Sequence, residues 1–239
     1  QPWTLELSSE LRSRELSDGI RLGLDQVLEK AKQGVDLNPH LSKRIHNMDM
    51  FDHLQLDWGI IHLHLGLDIA EDGMVSRTKE LLYVFPKDRV LYCVDVLGHH
   101  DFANTELLEI MDRNWPTLVP KLNGVSPDAS ITEEQIKTLR KKGVNYSPSL
   151  ANGSVVFSPG GGFVAGGFSI HHVMGAQHLE LRLKDAERAI KSNAAKVRRS
   201  IRLRTGNEPK KAKLSTIQLT PNAIIMREVY SGLNFSFNC

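Results

Sequence analysis

Apolar and polar positions alternate with period two through residues 59–101, and the rest of the chain is arranged around this stretch. It reads GIIHLHLG, a polar interval, RTKELLYVFPKDRVLYCVDVLG and then HHD. Such alternation marks strands. Three are predicted, the last two joined by a tight turn at Pro86, Lys87 and Asp88. In the first, Ile61, Leu63 and Leu65 share one side while Ile60, His62 and His64 share the other, because successive side chains point to opposite faces. This predicts a sheet with an apolar face on helices and a second face that is open and polar. In the third strand Val90, Tyr92, Val94 and Val96 alternate with Leu91, Cys93, Asp95 and Leu97. Both of its faces are mainly apolar, so it is expected to be central.

The flanking regions carry the helical period. Residues 1–35 read as helical: Ile20, Leu24, Val27, Leu28 and Ala31 mark one face, with Ser17 or Asp18 as N-cap and Gly34 just past the end. Beyond Pro39, HLSKRIHNM predicts a short second helix. After the sheet, Asn104 or Thr105 caps a helix that Asn114, Trp115 and Pro116 stop. Thr132 with Gln135, and Ser130 with Glu133, fit capping boxes for the next. From Asn145 onward, short β-type runs are separated by Gly-rich turns. They lead to a long amphipathic helix marked by Leu179, Leu183, Ala186, Ile190, Ala194, Val197 and Ile201, and then to two strands, LSTIQL and AIIMREVY. The fold class expected is α+β: an N-terminal helix pair on a mainly antiparallel sheet, then a β-rich C-terminal segment with one long basic amphipathic helix. Pro116, Pro120 and Pro127 suggest two domains, 1–120 and 128–239.

Hydrophobic residues make up 41% of the 239 and charged residues 24%, an ordinary balance for a folded soluble protein. No apolar run approaches the roughly 20 residues that a spanning helix needs, and no membrane partner is expected. Neither Cys93 nor Cys239 has a metal-type Cys neighbour, so a reducing, cytoplasmic setting is the expectation. The net charge of +2 conceals an asymmetry. Residues 182–213 hold twelve Lys and Arg against three acids, a balance of +9, and the remainder holds eighteen against twenty-five, a balance of −7. The basic part therefore faces either nucleic acid or the acidic part of its own chain. Its candidate phosphate contacts are Arg198, Arg199, Arg202, Arg204, Lys210 and Lys211, with Lys79 from the sheet. No aromatic residue interleaves with them, which argues against a stacking platform for single strands.

The candidate chemistry lies in the imidazoles. His62 and His64 project from one strand face, and His99 and His100 follow the last strand. Three roles are open to them. They are structural; or they exchange protons near their ordinary pKa of about 6.5, with Arg77 and Lys79 stabilising charge on phosphorus; or His62, His64 and His99 hold a divalent metal such as zinc or manganese. The Gly-rich segment 159–167 lacks the G-x-x-x-x-G-K-[ST] form and reads as a mobile loop or a cluster of tight turns. His171 and His172, read on a strand, point to opposite faces, one exposed and one partly buried.

The order helix pair, HLHLG, RTKELLYVF, then DRVLYCVDV running into GHHDF, over roughly residues 52–115, resembles the RelE/ParE-like bacterial toxins. The resemblance implies an mRNA interferase: a metal-free ribonuclease of toxin or phage-defence type, paired with an antitoxin or other protein partner. In that family the 2′-hydroxyl attacks the adjacent phosphate. By position Arg77 would stabilise the phosphate, and His99 or His100 would protonate the leaving oxygen. His62, His64 and Lys79 have no firm counterpart. The alternatives are a metal-dependent phosphoesterase or nuclease, and a non-enzymatic binding or structural protein of phage-like origin.

Overall fold

The computed structural model describes residues 1–46, 52–98, 102–126, 131–207, 209–220 and 223–238. The fold is α+β, and the chain forms two compact units, Gln1–Ile170 and His171–Cys239. The first unit opens with β1 (Thr4–Leu7), α1 (Ser9–Ser13) and α2 (Asp18–Gln33). Next come two 3₁₀ turns, α3 (His53–Trp58), β2 (Ile61–His64), β3 (Glu80–Lys87), β4 (Val90–Gly98), α4 (Glu106–Asn114) and α5 (Glu133–Lys141). The sheet order is β1-β4-β3-β2, with β1 parallel to β4 and the other pairs antiparallel. β4 is thus central. A two-residue turn joins β3 to β4, and its Asp88 and Arg89 have φ of 48° and 67°. Positive φ at both central residues matches the twist of the flanking strands.

The alternation sorts the core into two layers. Leu63, Leu82, Val84, Leu91 and Cys93 pack against Leu11, Leu24, Val27 and Ala31 of α1 and α2. On the opposite face Ile60, Leu81, Tyr83 and Val94 pack against Leu54 and Trp58 of α3 and Leu107, Leu108 and Met111 of α4. The second face is therefore covered, not open as the alternation alone suggested. Two short helices that flank the strands in sequence close over it, and Leu150 and Val156 join the same cluster. Leu122 N–H donates to the Val155 carbonyl at 2.8 Å and Phe157 N–H to that of Pro120 at 2.8 Å. The first unit therefore runs on to Ile170, past the division into 1–120 and 128–239 that the proline cluster suggested.

Three further expectations are corrected. Residues 1–35 are not helical throughout, because Leu5 and Leu7 alternate and pair with the edge of β4. There Ser8 Oγ donates to the Val94 carbonyl at 2.5 Å and accepts the Leu11 N–H at 2.9 Å. The second N-terminal helix is replaced by 3₁₀ turns at Asn38–His40 and Lys43–His46, pinned by the buried ring of His40. The long helix is two helices, α6 (Ile170–Ser192) and α7 (Ala194–Thr205). At the break Asn193 has φ of −104° and ψ of 12°, and the Ala189 carbonyl accepts both its N–H at 3.0 Å and its Nδ2 at 2.9 Å. The second unit ends in an antiparallel sheet, β5 (Leu214–Leu219), β6 (Ala223–Glu228) and β7 (Asn234–Asn238). Among the described residues no helix is long and apolar enough to cross a membrane.

Candidate functional site

His62 and His64 sit on β2, opposite Tyr83 and Leu81 of β3. Both side chains are about nine-tenths buried or more. The His62 ring lies 4.9 Å from Phe102, 6.0 Å from His64 and 6.5 Å from Tyr83, measured between centroids. Its Nδ1 is 3.7 Å from Asp52 Oδ2, an ion-pair separation rather than a hydrogen bond. The other carboxylate oxygen of Asp52 caps α3, accepting from Leu54 and Gln55 N–H at 3.0 and 3.2 Å. The cap thus holds the carboxylate beside the imidazole. Tyr83 donates its hydroxyl to the Gly98 carbonyl at 2.9 Å, where the chain leaves β4.

His64 plays a different part. Its Nδ1 accepts the Thr78 N–H at 3.4 Å, and its carbonyl accepts from His40 Nδ1 at 2.8 Å. His40 Nε2 lies 2.9 Å from Lys30 Nζ. An ammonium has only donors, so this nitrogen is the acceptor and the His40 proton resides on Nδ1. Burial pushes His40 below its ordinary range; the bond to His64 opposes that shift and the Lys30 charge adds to it. Arg77 and Lys79 are exposed and flank Thr78. Thr78 Oγ1 in turn accepts the Leu65 N–H at 3.1 Å.

Beneath this edge lies a polar node that sequence reasoning missed. Asp57 is buried and accepts from Arg140 Nε at 2.8 Å and from Ser158 Oγ at 2.6 Å. The Arg140 guanidinium stacks on Trp58 at 4.2 Å, and its Nη1 donates to the Phe102 carbonyl. The pair therefore fixes the residue whose ring covers His62. Burial first, and then the Asp57 carboxylate, pushes the Tyr146 hydroxyl well up, so it stays neutral. Burial and then Arg140 hold His53 low. No local pattern announces Asp57 or Arg140, which are 83 residues apart. Asp52 did carry a signal, standing as an N-cap before a short apolar run that ends at Gly59.

The Gly-rich segment is a set of turns bound to α3. Gly160 N–H donates to the Asp57 carbonyl at 2.9 Å and Gly162 N–H to that of Leu56 at 3.0 Å. Those amides are committed to protein and do not cradle a phosphate. His171 and His172 stand in the first turn of α6, both exposed, and not on a strand. Arg199, Arg202, Arg204, Lys210 and Lys211 are exposed and Arg198 is half-buried, all in the second unit. Cys93 is buried and its thiol is pushed up to about 12 by that burial, which leaves it unreactive near neutrality. His99 and His100 lie outside the described residues. Among the described residues no three His, Cys, Asp or Glu side chains are placed to hold one metal ion.

The structure thus brings His62 together with Asp52, Tyr83 and Phe102, and ties His64 into backbone support. An imidazole with a carboxylate at one nitrogen can exchange a proton while the carboxylate orients the ring. No family model matches the chain, and no curated protein or solved structure is significantly similar to it.

Proposed function

We propose that the first unit is a ribonuclease of toxin or phage-defence type in which His62 is the proton-transferring residue and Asp52 its orienting partner. The observation that carries this reading is the placement of Asp52 Oδ2 3.7 Å from His62 Nδ1, on the edge strand β2. Helix α2 packs on the sheet face away from His62, which leaves the His62 side to this chemistry. In the reaction, the 2′-oxygen bonds to phosphorus and its proton passes to His62. The bond from phosphorus to the 5′-oxygen breaks, and that oxygen takes up a proton. Products carry a 2′,3′-cyclic phosphate and a 5′-hydroxyl. Arg77 and Lys79 stabilise the charge on phosphorus, and an antitoxin-like protein partner belongs to the same reading.

Incubation with RNA and with DNA of matched sequence, each with and without EDTA, tests it. Cleavage of RNA alone, unaffected by EDTA and lost in His62→Ala, is the expected result. Cleavage abolished by EDTA, with stoichiometric metal in the purified protein, transfers the assignment to the metal-dependent alternative at His62, His64 and His99. The burial of His62 and His64 favours a second reading, a non-enzymatic binding protein, for which RNA is bound and left intact.

A further inference from the structure

A proton-transferring group has to come within hydrogen-bond reach of what it acts on, and His62 is about nine-tenths buried. Among the described rings around it, His64 and Tyr83 are buried, whereas Phe102 is half-exposed. Phe102 is also the nearest of the three. Its ring lies 4.9 Å from the imidazole at 43°, against 6.0 Å for His64 and 6.5 Å for Tyr83. It meets Tyr83 as well, at 6.0 Å and 59°, within the range of aromatic pairs. Of the described rings, then, Phe102 is the one that closes His62 off from solvent.

The backbone beneath this ring is anchored. The Phe102 carbonyl accepts from Arg140 Nη1, and Arg140 Nε donates to Asp57 Oδ2 at 2.8 Å. The guanidinium lies 4.2 Å from the centroid of the Trp58 ring. Asp57, Trp58 and Arg140 are all almost wholly buried, and breaking such a buried pair is costly. The ring itself is held by packing against the core layer under α3 and α4. A half-exposed side chain can change rotamer while its backbone stays in place. The position the ring takes is walled by the His62 and Tyr83 rings. Two aromatic walls suit a second flat ring, and the bases of single-stranded RNA are recognised by such stacking. A base within a duplex is already stacked and paired, and would first have to be extruded.

We infer that the Phe102 side chain holds the place of a substrate nucleobase. It swings out on the backbone that Arg140 anchors, and an unpaired RNA base takes its position beside His62 and Tyr83. This rests on the ribonuclease reading of His62, but its test needs no cleavage.

The whole chain is treated with diethylpyrocarbonate, which acylates accessible imidazoles, and modification is followed peptide by peptide. His171 and His172, exposed in the first turn of α6, serve as the internal standard. A minor open state holds about 0.1–10% of molecules. His62 is therefore expected to react slowly in the native chain and at least about tenfold faster in Phe102→Ala, whose melting curve checks the fold. A 2′-O-methyl uridine trinucleotide, which lacks the attacking hydroxyl, is expected to protect His62. It should bind Phe102→Ala more tightly than the native chain, because no ring has to be displaced first. A second measurement needs no variant: in NMR spectra of the native chain, the ring-current shift that Phe102 imposes on the His62 protons is expected to change as the trinucleotide is added. An unchanged His62 rate or weaker binding in Phe102→Ala overturns the inference, as does a trinucleotide that neither protects His62 nor moves its resonances. Failure of the ribonuclease reading shows separately, as RNA cleavage retained in His62→Ala.

Discussion

At the residue scale the first unit depends on one buried ion pair. Asp57 and Arg140 are almost wholly inaccessible and meet at 2.8 Å. Removing one partner strands the other charge in the core, which costs about 3–5 kcal/mol. Asp57→Asn and Arg140→Met are each expected to lower the unfolding free energy by that order in urea titrations. A loss below about 1 kcal/mol would show that the node is better solvated than its burial indicates. His40 gives a pH-dependent counterpart. Its folded-state pKa lies below the ordinary value because burial disfavours the imidazolium. The unfolded chain therefore binds the proton more readily, and the contribution to stability is complete above about 6.5 and falls as pH drops below it. Unfolding free energies at pH 7.5 and 5.5 are expected to diverge more in the native chain than in His40→Phe. An identical difference in both would remove His40 from the account.

At the element scale, the turn after α3 joins the helix, the strand and the Gly-rich segment. Gly59 has φ of 73°, and a Cβ there would meet the Phe85 ring at 2.5 Å. Gly59→Ala is expected to lower the melting temperature by several degrees through strain and displacement of Phe85, and an unchanged melting curve would contradict this packing. The legibility of the elements follows from the same local physics. β3 and β4 were plain because both contain long alternating runs joined by a turn, and α5 because Thr132 and Gln135 cap each other reciprocally. β1 was hidden because four residues of TLEL carry too little pattern beside a long helical stripe. Its strand character comes from the free edge of β4, a partner some ninety residues away in sequence. The break at Asn193 was hidden for the opposite reason: the apolar stripe runs through it, the Asn193 N–H still donates to the Ala189 carbonyl at 3.0 Å, and only the backbone dihedrals of Asn193 (φ −104°, ψ 12°) leave the helical range.

At the scale of the whole molecule, the sequence located the imidazole strand but misjudged its setting. His62 and His64 do share a face, as their spacing required, yet that face is roofed by α3 and α4. Period two reports alternation and not what covers each side, so an edge that looked open is a buried seam. The partners that give the seam its chemistry, Asp52, Phe102 and Arg140, come from three separate segments whose convergence only the fold supplies. The charge asymmetry was legible as a sum. Its division into an α6 whose Lys184, Arg188 and Lys191 pair with nearby acids and an α7 that contains none required the helix boundary and the pairings along it.

The most direct measurement of the central claim is the chemistry of the RNA ends. A 5′-labelled RNA, and the same strand bearing a 2′-deoxy residue at the cleaved position, would be incubated with the native chain and with His62→Ala in EDTA. The expected result is a fragment ending in a 2′,3′-cyclic phosphate from the native chain alone, and no cleavage at the deoxy position. Intact RNA throughout, or equal cleavage by His62→Ala, would contradict the assignment of His62.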